Sequence, residues 1–210
     1  YDANSNVIAI GDTITTTILQ QDTSFLVEAS TGMNGLKITE IDLVGFPQFF
    51  EVQNTSEGIV DATGWTVYVG DNNATIDIPV STVWQLTTFQ PGEVKVRNTD
   101  RNSPDYFGTF LRWNTLPSNG WVMIVDAQCN LVDYVVWGHD PVDVADFSPV
   151  GLSGCRSGVT LGDYWNGPAI MGNGVQSFHR VGNTDNNDAS DWVPTTRVTP
   201  GVQNPGLNTG

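Results

Sequence analysis

Apolar and polar positions alternate along this chain in short runs, and turn residues close each run after roughly 10 to 15 residues. Phe50 and Val52 alternate with Glu51 and Gln53, and Trp65, Val67 and Val69 with Thr66 and Tyr68. Ile76 and Ile78 flank Asp77, and Val94 and Val96 flank Lys95. A period of two is the mark of a strand with one face on a core. Leu36 and Ile38, followed by Ile41 and Leu43, change face midway, so the pattern predicts a bulge in the first core strand. Trp121 to Val125 is apolar throughout and reads as a central strand buried on both faces. It turns through Asp126-Ala127-Gln128-Cys129-Asn130 into Leu131 to Trp137, which predicts an antiparallel hairpin. No long 3.6-residue periodicity interrupts this rhythm, and the expectation is an all-β, antiparallel sandwich.

Two segments stand apart from the strand rhythm. Residues 1–34 form an N-terminal arm. In it Ile14, Thr16 and Ile18 share one face of a strand-period run, and Ile8 and Ile10 belong to a second apolar run. Such an arm either caps an edge of its own sandwich or enters a neighbouring subunit as a donor strand. In the second case the contact repeats head to tail and builds a polymer. The second segment is an insert, residues 139–174. There Asp140-Pro141-Val142-Asp143 reads as an N-cap, a proline in the first turn and an acid behind it, predicting a short helix near 141–147. The insert is expected to cover part of the sandwich. The competing reading is a ligand site around Asp163, Tyr164 and Trp165, since exposed aromatics beside acids can hold sugars.

Composition narrows the partners. Of 210 residues only 15% are charged, and the net charge is -15. Nucleic acid needs a concentrated Lys/Arg face, so this balance argues against it and against anionic membrane surfaces. No apolar run approaches the roughly 18 residues of a membrane span. The opening YDANSNV has neither a basic nor an apolar leader region, so the expectation is either a signal that was removed or a chain that was trimmed. The two cysteines, Cys129 and Cys155, both sit at loop positions and are expected to pair, which suits an extracellular setting.

A set of motifs in order carries a family resemblance. Ile38-Thr39-Glu40-Ile41 comes first, then Phe49-Phe50-Glu51-Val52-Gln53-Asn54, then Asp61-Ala62-Thr63-Gly64-Trp65-Thr66-Val67. A Leu86-to-Gly92 turn follows, then Val132-Asp133-Tyr134-Val135-Val136-Trp137-Gly138. The C-terminal stretch from Gln176 to Pro205 holds Arg180, an Asn/Asp-rich turn, Asp191-Trp192 and Thr199-Pro200-Gly201 with Asn204. Together these resemble the lamin tail domain, an immunoglobulin-like β-sandwich of nuclear lamins and of many secreted prokaryotic proteins. The resemblance implies one such domain over residues 35–210, closed by a C-terminal clasp. It names a fold more firmly than a job, because one sandwich hosts many functions.

Candidates for reaction chemistry are few. His139 and His179 lie forty residues apart without zinc-ligand spacing. Gly151-Leu152-Ser153-Gly154-Cys155 lacks the closing glycine of a nucleophile elbow and reads as a turn. Glu40 and Glu51 fall on adjacent strands, but carboxylate pairs arise by chance in a chain with 23 acids. Arg180 is expected to anchor the carboxylates of the C-terminal turn. Asp185, Asn187, Asp188 and Asp191 offer hard oxygen donors within seven residues, the chemistry calcium takes. The competing reading there is an Asx-turn that organises Trp192 without metal. Asn54 and Asn73 head glycosylation sequons.

The chain is thus expected to be a non-enzymatic extracellular or cell-surface structural protein that self-assembles with copies of itself through its N-terminal strand. The alternative is a monomeric adhesion or binding module, carbohydrate- or calcium-dependent. A third is an accessory domain of a secreted hydrolase.

Overall fold

The computed structural model describes residues 35–70, 82–111, 113, 118–146, 152, 155, 165–171, 177–204 and 206–207. The assembly residues Ile8, Ile10, Ile14, Thr16 and Ile18 lie outside the described residues, as do Asn73, Ile76, Ile78, Ser153, Asp163 and Tyr164. The chain divides into two units, Tyr1–Met33 and Asn34–Gly210, and all the described residues lie in the second.

Short strands dominate it, in chain order β1 (Leu36–Asp42), β2 (Phe49–Asn54), β3 (Val60–Asp61), β4 (Thr66–Gly70), β5 (Thr82–Gln85), β6 (Thr88–Phe89), β7 (Val94–Asn98), β8 (Gly120–Val125) and β9 (Leu131–Trp137). Helix α1 (Pro141–Asp146) follows, then β10 (Ser177–Arg180) and β11 (Trp192–Thr195). These strands pair antiparallel throughout and form a five-stranded sheet β11-β10-β1-β2-β7, a four-stranded sheet β5-β4-β8-β9 and a small β3-β6 ribbon. The expected all-β sandwich is present, as are the β8–β9 hairpin and the helix after Asp140.

Alternation decides which side chains meet between the sheets. Ile38, Ile41, Phe50, Val52 and Phe178 come from one sheet, Val67, Val69, Val122, Ile124 and Val135 from the other, all at most 3% exposed. Phe107, Leu111 and Trp113 complete this core, with Trp113 edge-on to Trp137 at 4.9 Å and donating from its indole to the Gly70 carbonyl. Gly138 ends β9 at φ +69, where a Cβ would fall 2.0 Å from the Ser118 carbonyl, so only glycine fits.

Both faces of β8 are buried, as its apolar run predicted. The cover on the second face is the insert. Trp165 lies edge-on to Tyr134 at 5.8 Å, and Ile170 exchanges backbone bonds with Val136 and Gly138. Trp165 is 4% exposed and donates to the Pro168 carbonyl, which corrects the reading of it as an exposed sugar-holding aromatic. Cys129 and Cys155 form the expected disulfide, with Cα atoms 5.5 Å apart, and it ties the β8–β9 turn to the insert.

Three sheet edges carry blocking devices. Strand β11 has Pro194. On β7, Lys95 and Arg97 stand opposite the core residues Val52 and Phe50 and lie over the rings of Phe89 and Trp84, at 4.1 and 4.4 Å. The end of β9 is taken by Ile170.

The alternation of β2 sets Glu51 and Gln53 on the face away from the inner core, and there they are fully buried too. Neither amide atom of Gln53 has a hydrogen-bond partner. An unpaired buried amide carries a desolvation cost of about 1–3 kcal/mol, so Gln53→Met should raise stability by an amount of that order. An unchanged or lower urea midpoint would show that the amide is satisfied in solution. Asn54, also buried, donates to the carbonyls of Gly58 and Gln90 at 2.7 and 3.1 Å while its oxygen accepts from Ser56. The sequon at Asn54 is therefore closed in the folded chain.

Candidate functional site

The predicted bulge is the centre of the domain's polar chemistry. Ile38 pairs with Val52 and Glu40 with Glu51, so Thr39 is the extra residue on β1. A bulge takes backbone groups out of the ladder, and buried ones need other partners. Here side chains supply them from both faces of the sheet. The Ile38 amide donates to Asp133 Oδ2 at 2.6 Å, and the Ile38 carbonyl accepts from Arg180 Nε at 3.1 Å. The Thr39 carbonyl accepts from Asn204 Nδ2 at 2.8 Å.

On the inner face these contacts belong to an ion network. Arg180, 2% exposed, donates from Nη2 to both oxygens of Asp133 at 2.9 and 3.1 Å and from Nη1 to Asp185 at 3.2 Å. Asp191 lies 3.6 Å from Nη1, and the guanidinium sits 5.0 Å from the Trp192 ring. Burial pushes the Asp133 carboxyl up, against the pull of Arg180 and Lys37. Burial also works against the guanidinium charge, but Asp133, Asp185 and Asp191 outweigh it and hold Arg180 above its ordinary range. Burial alone would lift Asp185; Arg180 and Lys37, which pairs with it directly, hold it low instead.

Arg180 does anchor the C-terminal turn, as its place beside the acids suggested. The sequence reading missed that its closest partner is Asp133, on the other sheet. The available signal was a lone carboxylate inside the apolar strand LVDYVVW. Such a charge asks for a buried partner.

Three of the four candidate calcium ligands, Asp185, Asp188 and Asp191, already have partners for their side chains. Asp191 accepts from the Asn186 backbone and side-chain nitrogens, and Asp188 caps the following turn through the Ser190 amide at 2.7 Å. Asn187 holds φ 53, and Asp185 belongs to Arg180 and Lys37. A cation entering this turn would have to displace those contacts. Among the described residues no group of three or more His, Cys, Asp or Glu is arranged to hold a metal ion.

On the outer face the same bulge carries a carboxylate pair. Glu40 and Glu51 are direct cross-strand partners, both 0% exposed, and His179 on β10 stands opposite Glu40 on its other side. Their cover is the C-terminal segment. The Thr199 amide donates to Glu40 at 3.0 Å and the Gly201 amide to Glu51 at 3.2 Å. Asn204 Nδ2 and Thr39 Oγ1 reach Glu51 Oε1 at 3.2 and 2.8 Å. Burial is the main cause lifting both carboxyls; Glu51, with Glu40 beside it, is pushed up to about 8. Burial holds the other histidine, His139, below its ordinary range; it lies far along the chain from these groups, at the start of the insert.

Comparison with protein family models and with curated proteins returned no match to this chain. No helix among the described residues is long and apolar enough to cross a membrane.

Proposed function

We propose that this chain is a non-enzymatic extracellular structural module of the lamin tail type, which joins to copies of itself by strand addition from residues 7–27. The observation that carries the structural reading is the use of its buried charges. Arg180, Asp133, Glu40 and Glu51 all hold backbone of β1 or of the C-terminal segment, and each is at most 2% exposed, out of a substrate's reach. Chemistry needs an accessible group with a matched proton affinity; these groups are closed ties. The disulfide supports an oxidising compartment.

For assembly, the support is the strand-period run at Ile14, Thr16 and Ile18, together with the condition of the sheet edges. Strand β5, Thr-Val-Trp-Gln, has neither the proline nor the charges that guard β11 and β7, which makes it the natural acceptor. Main-chain bonds of an added strand contribute roughly 1 kcal/mol each, and two buried isoleucines roughly 2 kcal/mol each. The full chain should therefore sediment as concentration-dependent oligomers. Deleting residues 1–20 should yield a folded monomer. A full chain that remains monomeric at high concentration would remove self-assembly and leave the adhesion module. That second reading has one observation in its favour: Phe46, 85% exposed, sits with half-exposed Val44 on the β1–β2 turn.

A further inference from the structure

The row of side chains on the outer face of the five-stranded sheet has an unusual order. Across β10, β1 and β2 it reads His179, Glu40, Glu51, and Val96 follows on β7. Two fully buried carboxyls thus lie side by side, and the groups that bond to them are neutral dipoles: Thr39, Thr199, Gly201 and Asn204. One negative charge is well served by four such residues. Two are not, because like charges at short range raise each other's cost and burial withholds water.

The surrounding charges do not change this. On β1, Asp42 adds a further negative influence on Glu40, and Lys37 is paired with Asp185. On β10, burial holds His179 below its ordinary range, so it is uncharged in neutral and alkaline solution. On β7, Lys95 and Arg97 occupy the opposite face, and Glu93 accepts from the Gln90 amide in its own turn. Residues 198–207 carry no charged side chain, and the nearest cation of the C-terminal segment, Arg197, is exposed.

We propose that Glu40 and Glu51 form a pH-operated latch for the C-terminal segment: shut while the pair holds one proton, loosened when both carboxyls are ionised. With its proton, Glu51 can donate to Thr39 Oγ1, which stands 2.8 Å away. Without it, the second charge must be hydrated. The strands beneath are held in their ladders, so water enters by displacing residues 199–204. The proton leaves to solvent, and no other group changes.

The sign follows from the carboxyl affinities. Glu51 titrates at about 8 in the folded chain against 4.5 for a free side chain. Its protonated form therefore favours the closed state at low pH, and that contribution is lost as pH rises through the folded value. The latch opens on the alkaline side.

Hydrogen exchange of the Thr199 and Gly201 amides, corrected for the intrinsic rate, tests this from about pH 6 to about pH 9.5. In the full-length chain their protection should fall by roughly tenfold or more across the range while that of the β8 amides holds. Glu51→Gln, which has no charge to gain, should show no such fall. Glu40→Gln removes the neighbouring negative charge, so Glu51 should ionise more readily and the transition should move to lower pH. Flat protection in the native chain overturns the proposal, as does an equal fall in Glu51→Gln. Should Glu51→Gln not fold, a transition in Glu40→Gln that is unmoved or raised overturns it alone. Since the readout is local to one chain, it stands or falls separately from self-assembly.

Discussion

Arg180→Ala is expected to lower the stability of this domain by about 3–5 kcal/mol, the usual cost of leaving a buried charge without its partner. Asp133 is fully buried and takes both its closest charged contacts from Arg180 Nη2. Alanine leaves that carboxylate to the Ile38 amide, and the Ile38 carbonyl without its guanidinium donor. It also removes a cation from Asp185 and Asp191, though Lys37 still serves the first. Urea unfolding followed by tryptophan fluorescence reads the effect, because Trp192 lies under the guanidinium. The companion variant, Arg180→Met with Asp133→Leu, separates two sources of the loss. If the unpaired charge dominates, the double variant regains most of the stability. If the bulge dominates, it regains little, since both Ile38 backbone groups stay unpaired. A loss below about 1 kcal/mol in Arg180→Ala would show that the network is solvated and that the buried-tie account is wrong.

That network also marks where sequence reading stops. The bulge at Thr39 was legible, because an extra residue reverses which side of a strand is apolar, and Leu36, Ile38, Ile41 and Leu43 record the reversal. The β8–β9 hairpin and α1 were legible for the same local reason: a period, a turn and a cap all lie within a few residues. Pairing of Asp133 with Arg180 was not, since the two are 47 residues apart and on different sheets. Alternation states that Asp133 shares a face with Val135; it says nothing of what lies opposite.

The outer face of β2 shows the complementary limit. Glu51 and Gln53 obey the strand period, which sets them on the face away from Phe50 and Val52, yet both are fully buried. A two-residue period separates faces without revealing whether a third layer covers the polar one. Over Glu51 the cover is the C-terminal segment from Thr199 to Asn204, whose Pro, Gly and Asn residues announce turns and give no apolar pattern that would place it. Trp165 failed likewise: an aromatic in a long insert looks exposed until its partner, Tyr134, is known to point outward from β9. In each case the missing information is tertiary.

Removing the disulfide should give the other large effect. The Cys129–Cys155 bridge spans 26 residues, and closing a loop of that length stabilises by about 3.5 kcal/mol in the chain-entropy estimate. For a domain of this size that is a fall of roughly 7–14 °C in melting temperature for the Cys129→Ser, Cys155→Ser variant. The unfolded chain gains most of the freedom, but the native state also changes. Leu152, Cys155 and Trp165 are all under 7% exposed and belong to the same packed core as Tyr134. Among the described residues, the packing of Trp165 and the short pairing of Ile170 with Val136 and Gly138 still hold the cover to the hairpin without the bridge. Limited proteolysis should therefore cut the insert before the core unfolds, and the cut should be slow in the oxidised chain. A variant that melts with the native protein and resists cleavage equally would mean that packing alone seats the insert. The bridge would then stabilise nothing that the Trp165–Tyr134 contact does not already hold.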